Sequence, residues 1–512
     1  FGVDTAVSVG KSSSGFYSSV ISSSVWMWPC LGSTLPSLSC LHTVTEDNPA
    51  AISQLVTSDI DLEKMMKMEG EDPAVLLLRT LAAGLALNVK YGRAADLPSS
   101  ALLQLMSVLA QTLNVDHRAA LNRLTSKLPL EESSKESSQV EQALVRAEHL
   151  LDAQRTALEI LANLCSGEDT DDDVMDQDSS ENSDGFLSDP EDSEESVPLP
   201  ATNFPLAVVT EVREGIVNHQ LVSKVWDRTV YPAENVCQIL DSHTRGALVC
   251  KKLATLRCRA FLCLNNLLTT LSVEDLGGPQ LLSGLWINIG TLVFRQIVVY
   301  NPPKHGTGLA APRVLLCLLL NTITHLWLCP PDLLSCQSSD TEGGKSSLSD
   351  LTLNLLLDMS LVNTLPPTKS SEREFLESAT AALRATLQRL SQARVPCTRD
   401  LTQEDLQLMF KSEQRCSDAN VRANLIRSVG SLGLILVNST DMTTAHAMIK
   451  SIGRFLLEVC SRESELWLVA ESLDTLMDVF GEDETDQAAA DIALVDKLRA
   501  LVPSLKYKVI LH

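Results

Sequence analysis

A phosphate-binding loop needs glycines for close backbone approach and a lysine to meet the charge. Gly10-Lys11-Ser12 has the last three residues of that pattern, but the glycine required five positions before Gly10 is Thr5, and no strand pattern precedes it. A metal site needs ligands that converge. The 9 histidines are dispersed, with no HExxH pair and no paired Cys/His spacing. No GxSxG elbow presents a serine nucleophile. Cys258 and Cys263 sit five apart on one predicted helix, a spacing that does not share a face well, so both are read as core. No catalytic constellation, metal or cofactor is expected, and the chain is read as a non-enzyme.

The charge is more informative. The net charge is −24, and no lysine or arginine occurs between Arg155 and Arg213. Residues 168–195 alone carry 14 acids. Such a segment cannot bury enough apolar surface to offset chain entropy, so 167–202 is predicted to be a disordered acidic loop. It lacks the loop glycine and closing glutamate of an EF-hand, which argues against calcium. Ser166, Thr170 and Ser188 each precede an acid by three residues, a pattern suited to an acid-directed kinase. Any serine in an acidic tract meets that pattern by chance. Phosphate contacts need lysine and arginine, so direct nucleic-acid binding is not expected. The natural partners are basic proteins. The residues expected to meet them are Asp171, Asp172, Asp173, Asp176, Asp178, Glu181, Asp184, Asp189, Glu191 and Asp192. Phe186 and Leu187 join them as the paired apolar residues amid the acids.

The elements around the tract read as helices. Hydrophobic residues make up 45% of the chain and aromatics only 4%, so leucine and alanine carry the core. Residues 1–39 show no periodicity and are expected to be irregular. Helical repeats are expected over 40–166 and 203–294, an atypical insertion over 295–370, and further repeats over 371–512. Within the last block, 371–394, 402–413, 417–437, 443–461, 464–480 and 486–501 each have helical spacing. Their turns are short enough for antiparallel neighbours. The apolar run Val314–Cys329 is shorter than the roughly 20 residues of a membrane span and holds Asn321 and His325. A buried helix is the better reading, and no membrane is expected. The 13 cysteines include no CxxC pair, which suits reduced thiols in a cytoplasmic and nuclear protein. Asn438-Ser439-Thr440 is then a chance sequon. The chain starts at Phe1 without a methionine and is expected to be a fragment.

Internal repetition decides the fold class. Residues 417–433, SDANVRANLIRSVGSLG, resemble the second helix of a HEAT repeat. There Asp418 would cap the helix and Arg422 would reach an acid of a neighbouring repeat. Leu161-x-Asn163-Leu164, Leu264-x-Asn266-Leu267 and Ala86-x-Asn88-Val89 each end an alanine- and leucine-rich helix. They resemble the third helix of an armadillo repeat, whose asparagine faces a peptide groove. An asparagine near a helix end is also tolerated as an ordinary cap. Together the patterns predict an all-α armadillo/HEAT-repeat superhelical solenoid that works by binding proteins.

Several longer stretches are similar to the symportin family. They are CLHTVTEDNPA (40–50), AQRTALEILANLCSGEDTDDD (153–173), LRCRAFLCLNNLLTTLSVEDLGG (256–278) and GRFLLEVCSRESELWLVAESLDTLMDVF (453–480). The resemblance runs through most of 40–294 and 371–508, in the family's order. It implies a carrier and dedicated chaperone for two basic ribosomal proteins of the 5S ribonucleoprotein particle, escorted together into the nucleus for large-subunit assembly. It also implies an import receptor engaged through an N-terminal basic segment that this chain lacks. In this reading the acidic tract covers surfaces that later bind ribosomal RNA, and Asn88, Asn163 and Asn266 hold an extended peptide. The alternative is a cytoplasmic helical-repeat scaffold for signalling proteins, which should bind through an apolar patch and tolerate salt.

Overall fold

The computed structural model describes residues 31–46, 48–56, 60–91, 97–128, 137–166, 208–299, 370–394, 401–439, 441–481 and 483–511. Among these residues there are helices and turns and no strand. The chain divides into two compact units, residues 1–286 with 377–393, and 287–376 with 394–512. The acidic tract, residues 1–30 and the greater part of the 295–370 insertion, with its Val314–Cys329 run, lie outside the described residues.

The first unit is built from α1 (Leu31–Val44), α2 (Pro49–Val56), α3 (Leu62–Met66), α4 (Pro73–Ala86), α5 (Ser99–Asn114), α6 (His117–Thr125), α7 (Ser137–Cys165), α8 (Thr210–Asn218), α9 (Leu221–Thr229), α10 (Glu234–Ser242) and α11 (Gly246–Thr270). Pro73 occupies the first turn of α4, where its missing N–H costs nothing, and the Asp72 carboxylate accepts from the Ala74 amide at 2.9 Å. Asp116 caps α6 in the same way. α4, α7 and α11 lie side by side, with α7 in the middle. Ala82 and Ala83 on α4 and Ala153 and Ala157 on α7 are fully buried, so small side chains let these backbones approach closely. α4 continues into a π-helical turn, Leu87–Tyr91.

Chain direction at the start of α11 depends on glycine. A Cβ on Gly246 would lie 2.0 Å from the Leu240 carbonyl oxygen, a backbone atom that cannot swing aside. Gly246→Ala is expected to destabilise the first unit by about 1–3 kcal/mol, the usual range for overpacking. Thermal unfolding of the variant checks it, and an unshifted midpoint would contradict the packing.

α12 (Pro279–Val299) and α13 (Ser370–Gln392) each contribute residues to both units. The second unit continues with α14 (Gln403–Arg415), α15 (Ala419–Val437), α16 (Met442–Arg462), α17 (Leu466–Phe480), α18 (Asp486–Asp491) and α19 (Leu494–Leu511). Thr402 and Asp405 form a reciprocal capping box at α14. α15 is enclosed nearly all round, and Gly430 and Gly433 bring it against Thr475 and Val479 of α17.

Two sequence expectations need correction. Residues 31–39, expected to be irregular, open α1, which runs through Pro36 and buries Leu35, Leu38 and Leu41. The buried leucines recur every three residues, but the proline and two serines among them hide the periodicity. The expected helix 486–501 is two helices. Ala493 has φ +52°, a left-handed conformation for which the sequence offers no glycine as a signal. The break buries both Ile492 and Leu494.

Candidate protein-binding face

Of the three asparagines taken as groove residues, Asn88 lies in the π-helical turn that follows α4, and Asn163 and Asn266 lie near the ends of α7 and α11; the structure brings those helix ends to one side of the first unit. Salt bridges and close contacts fix the register. Asp72 pairs with Arg146, and Gly84 packs on Ile160, so α4 runs parallel to α7. From one end of α11 to the other, Arg245 pairs with Glu141 and Glu148, Lys252 with Glu148 and Asp152, and Arg259 with Glu159. Asn266 then donates its Nδ2 to the Ala162 carbonyl at 3.1 Å. Arg245, Lys252, Arg259 and Asn266 are seven residues apart on one helix, so one edge of α11 meets one edge of α7 along its length.

The individual residues differ in what they still offer. Asn163 is exposed. Asn88 is half-buried and donates Nδ2 to Thr45 Oγ1 at 3.2 Å. Asn266 is half-buried, and its bond to the Ala162 carbonyl ties one repeat to the next. The donors of Asn88 and Asn266 therefore serve the fold in the free chain, and Asn163 is the residue best placed to meet a ligand. Arg389 supports this end of the face from α13, donating to the carbonyls of Leu268 and Thr269, the last turn of α11.

The electrostatics of the face are mixed in sign. Burial pushes the Glu159 carboxyl above its ordinary range, against the pull of Arg155 and Arg259. Burial pushes the His149 imidazole down, although Asp152 and Glu148 oppose it. The ion-pair edge was the feature missed in the sequence. Its signal was present as three basic residues at sevenfold spacing on α11 and Glu141, Glu148, Asp152 and Glu159 on α7, about 100 positions away. Nothing in either segment alone says that they pair.

In the second unit, the Asp418 carboxylate accepts from the amides of Asn420 and Val421 at 3.0 and 3.1 Å, capping α15, and also pairs with Arg373. Arg422 reaches back to Glu413 of α14 and across to Glu463 at the end of α16. Asp171 through Asp192, with Phe186 and Leu187, lie outside the described residues. Among the described residues no group of three or more His, Cys, Asp or Glu side chains converges to hold a metal. Burial pushes the Cys165 and Cys416 thiols up to about 12, which makes these two poor nucleophiles. Among the described helices none is long and apolar enough to cross a membrane.

A face of parallel helices with ion-paired edges is the architecture of a repeat protein. Residues 210–304 and 314–510 match the family described as SYO1-like, TPR repeats. The chain belongs to this SYO1-like family. It is also similar to HEAT repeat-containing protein 3 of Homo sapiens and of Mus musculus, each 24% identical over 92% of this chain. This SYO1-like chain spans 64% of the length of those relatives. A solved structure of an engineered protein aligns over 94% of this chain and 98% of its own, at 12% identity and a TM-score of 0.21, too loose a superposition to inform the fold. TPR and HEAT repeats are both stacked antiparallel helix pairs, so the two names describe one kind of architecture.

Proposed function

We propose that this SYO1-like chain is a non-catalytic carrier and dedicated chaperone, cytoplasmic and nuclear, for basic ribosomal proteins of the 5S ribonucleoprotein particle. In this role it supports their joint import and large-subunit assembly. The observation that supports the reading is the register of α4, α7 and α11. It sets three asparagine-bearing helix ends in a row, across which an extended peptide can lie. The charge of the chain suits a basic cargo. The composition of the acidic tract suits wrapping a folded protein, at an ordering cost of about 2–5 kcal/mol. Carboxylates that meet an RNA-binding surface occupy it in place of phosphates.

The test is binding kinetics of the chain with these ribosomal proteins at two salt concentrations. Neutralising the acids of 168–195 to serine and asparagine should slow association and flatten its salt dependence. Asn163→Ala should act on dissociation, since one lost hydrogen bond is worth about 0.5–1.5 kcal/mol. Asn88→Ala and Asn266→Ala should also lower the stability of the free chain, because their donors hold neighbouring repeats. Unchanged affinity and salt response after neutralisation would remove the role of the tract as an RNA substitute. Salt-tolerant binding to other proteins, with none to ribosomal proteins, would favour a scaffold.

A further inference from the structure

The last described helix is basic in an acidic protein. α19 carries Lys497, Arg499, Lys506 and Lys508 against one acid, Asp496, in a chain whose net charge is −24. The helix packs on α16 and α18. Leu494 is buried there, and Leu498, Leu501 and Leu505 are half-buried. Its far end is pinned. Lys508 Nζ donates to the carbonyls of Cys460, Ser461 and Glu463 at 3.3, 3.2 and 2.5 Å, closing the last turn of α16 with a cation where the helix dipole favours one.

The apolar surface of α19 is wider than its neighbours cover. Val495, Val502 and Val509 are 56%, 43% and 63% exposed and seven residues apart, through a helix that continues past Pro503. With the half-buried Leu498 and Leu505 they form a stripe with the 3–4 spacing of a coiled-coil seam, β-branched at one position and leucine at the other. Arg499 and Lys506, seven residues apart, lie along one flank of the stripe, at positions that choose a partner by charge.

We propose that this stripe docks an amphipathic helix of a partner protein, apolar along one face and acidic on the flank that meets Arg499 and Lys506. The seven-residue spacing asks for a helix, because only a helix of the same period keeps its side chains in step with all three valines. The flanking charges ask for an acidic one. A second copy of α19 laid antiparallel would set Arg499 and Lys506 against like charges, and laid parallel would set them against Leu494 and Leu501, with no acid to meet. A lipid surface is a poorer fit, since the exposed side chains of the stripe are valines and interfacial helices anchor through leucine, phenylalanine and tryptophan. The surface is distinct from the face proposed for basic cargo and has the opposite charge preference, so the two readings stand or fall separately.

The test uses the full chain and a labelled designed peptide of about three heptads, leucine at the seam and glutamate on the flanks. A second peptide has lysine in place of glutamate. The acidic peptide is expected to bind, more weakly as salt rises. Val495→Ser, Val502→Ser and Val509→Ser together should weaken it at least tenfold, about 1.4 kcal/mol. These side chains are exposed, so helix content and thermal midpoint should hold, and both are measured. Arg499→Gln with Lys506→Gln should weaken binding and remove its salt dependence. The proposal is overturned by equal binding to the serine variant, by equal binding of both peptides, or by no binding at about 0.1 mM peptide. It is also overturned by a valine-dependent doubling of mass in sedimentation. Valine-dependent binding to anionic vesicles without peptide binding would replace it with a membrane contact.

Discussion

Glu413→Ala is expected to destabilise the second unit by about 3–5 kcal/mol, the cost of stranding buried charges that had been paired. The Glu413 side chain is fully buried. Its carboxylate accepts from Arg422 Nε at 2.9 Å, lies 2.8 Å from Arg422 Nη2, and accepts from Arg462 on the other oxygen. Arg422 also pairs with Glu463, whose carboxylate accepts from the amides of Ser464 and Glu465 at 2.8 and 3.0 Å. Burial opposes ionisation of Glu463, but the Glu465 amide and Arg422 hold its carboxyl below the usual range. Two acids and two arginines thus close a network that ties α14, α15 and α16 at one end. Removing Glu413 leaves the largely buried Arg422 with Glu463 as its acid and takes from Arg462 the carboxylate it meets. Because the site is buried, added salt should change the loss little.

Arg427 supplies the contrast. It faces Glu471, Asp474 and Asp478 of α17, but Asp474 and Asp478 are 63% and 55% exposed. Arg427→Ala is expected to cost less than about 1 kcal/mol and to matter less still in high salt. Calorimetry of both variants at low and high salt compares them. A Glu413→Ala midpoint as close to wild type as that of Arg427→Ala would show that burial of the network is not what makes it matter.

The Asp418–Arg422 segment shows how far local sequence reaches. An aspartate followed by valine, arginine and apolar residues at helical spacing states both the cap and the direction of the arginine, because cap and helix face are decided within one turn. Which acid the arginine finds is not local. Glu413 is nine residues back across a turn, and Glu463 is 41 residues on, at the end of another helix. The asparagine pattern behaved similarly. Its recurrence identified three helix ends that the fold does align, but whether an asparagine is free depends on its neighbours in space. Thr45 and the Ala162 carbonyl engage Asn88 and Asn266 and leave Asn163 exposed. The turn at Ala493 was hidden for the opposite reason. Its left-handed backbone carries no local preference at all and is held by the burial of Ile492 and Leu494 on either side.

Acidification should weaken the first unit, with His117 as a main contributor. His117 is the first residue of α6, is 0% exposed, and faces Arg228, Arg118 and Asp116. Burial first, and the Arg228 guanidinium second, push its imidazole down to about 3, with Arg118 adding to the shift and Asp116 opposing it. Arg228 cannot withdraw easily, because its Nη1 donates to the Val115 carbonyl at 2.6 Å, one residue before the cap. The unfolded chain takes up the proton near the ordinary histidine value of about 6.5. Above that pH both states are neutral at this site and its contribution is complete. As pH falls below about 6.5, the unfolded state binds a proton that the folded state refuses, and stability drops by about 1.4 kcal/mol per pH unit until the folded value is reached. Between pH 7.5 and 5 the loss from this one residue is about 2 kcal/mol. His42 and His149, both also held below their ordinary value by burial, act in the same direction. The measurement is urea unfolding at pH 7.5, 6 and 5 for the wild type and His117→Gln. Glutamine does not titrate, so the variant, whatever its stability at pH 7.5, should lose about 2 kcal/mol less on going to pH 5. Parallel pH profiles for the two proteins would mean that His117 takes its proton in the folded state, and that the space between α6 and Arg228 opens enough to let water in.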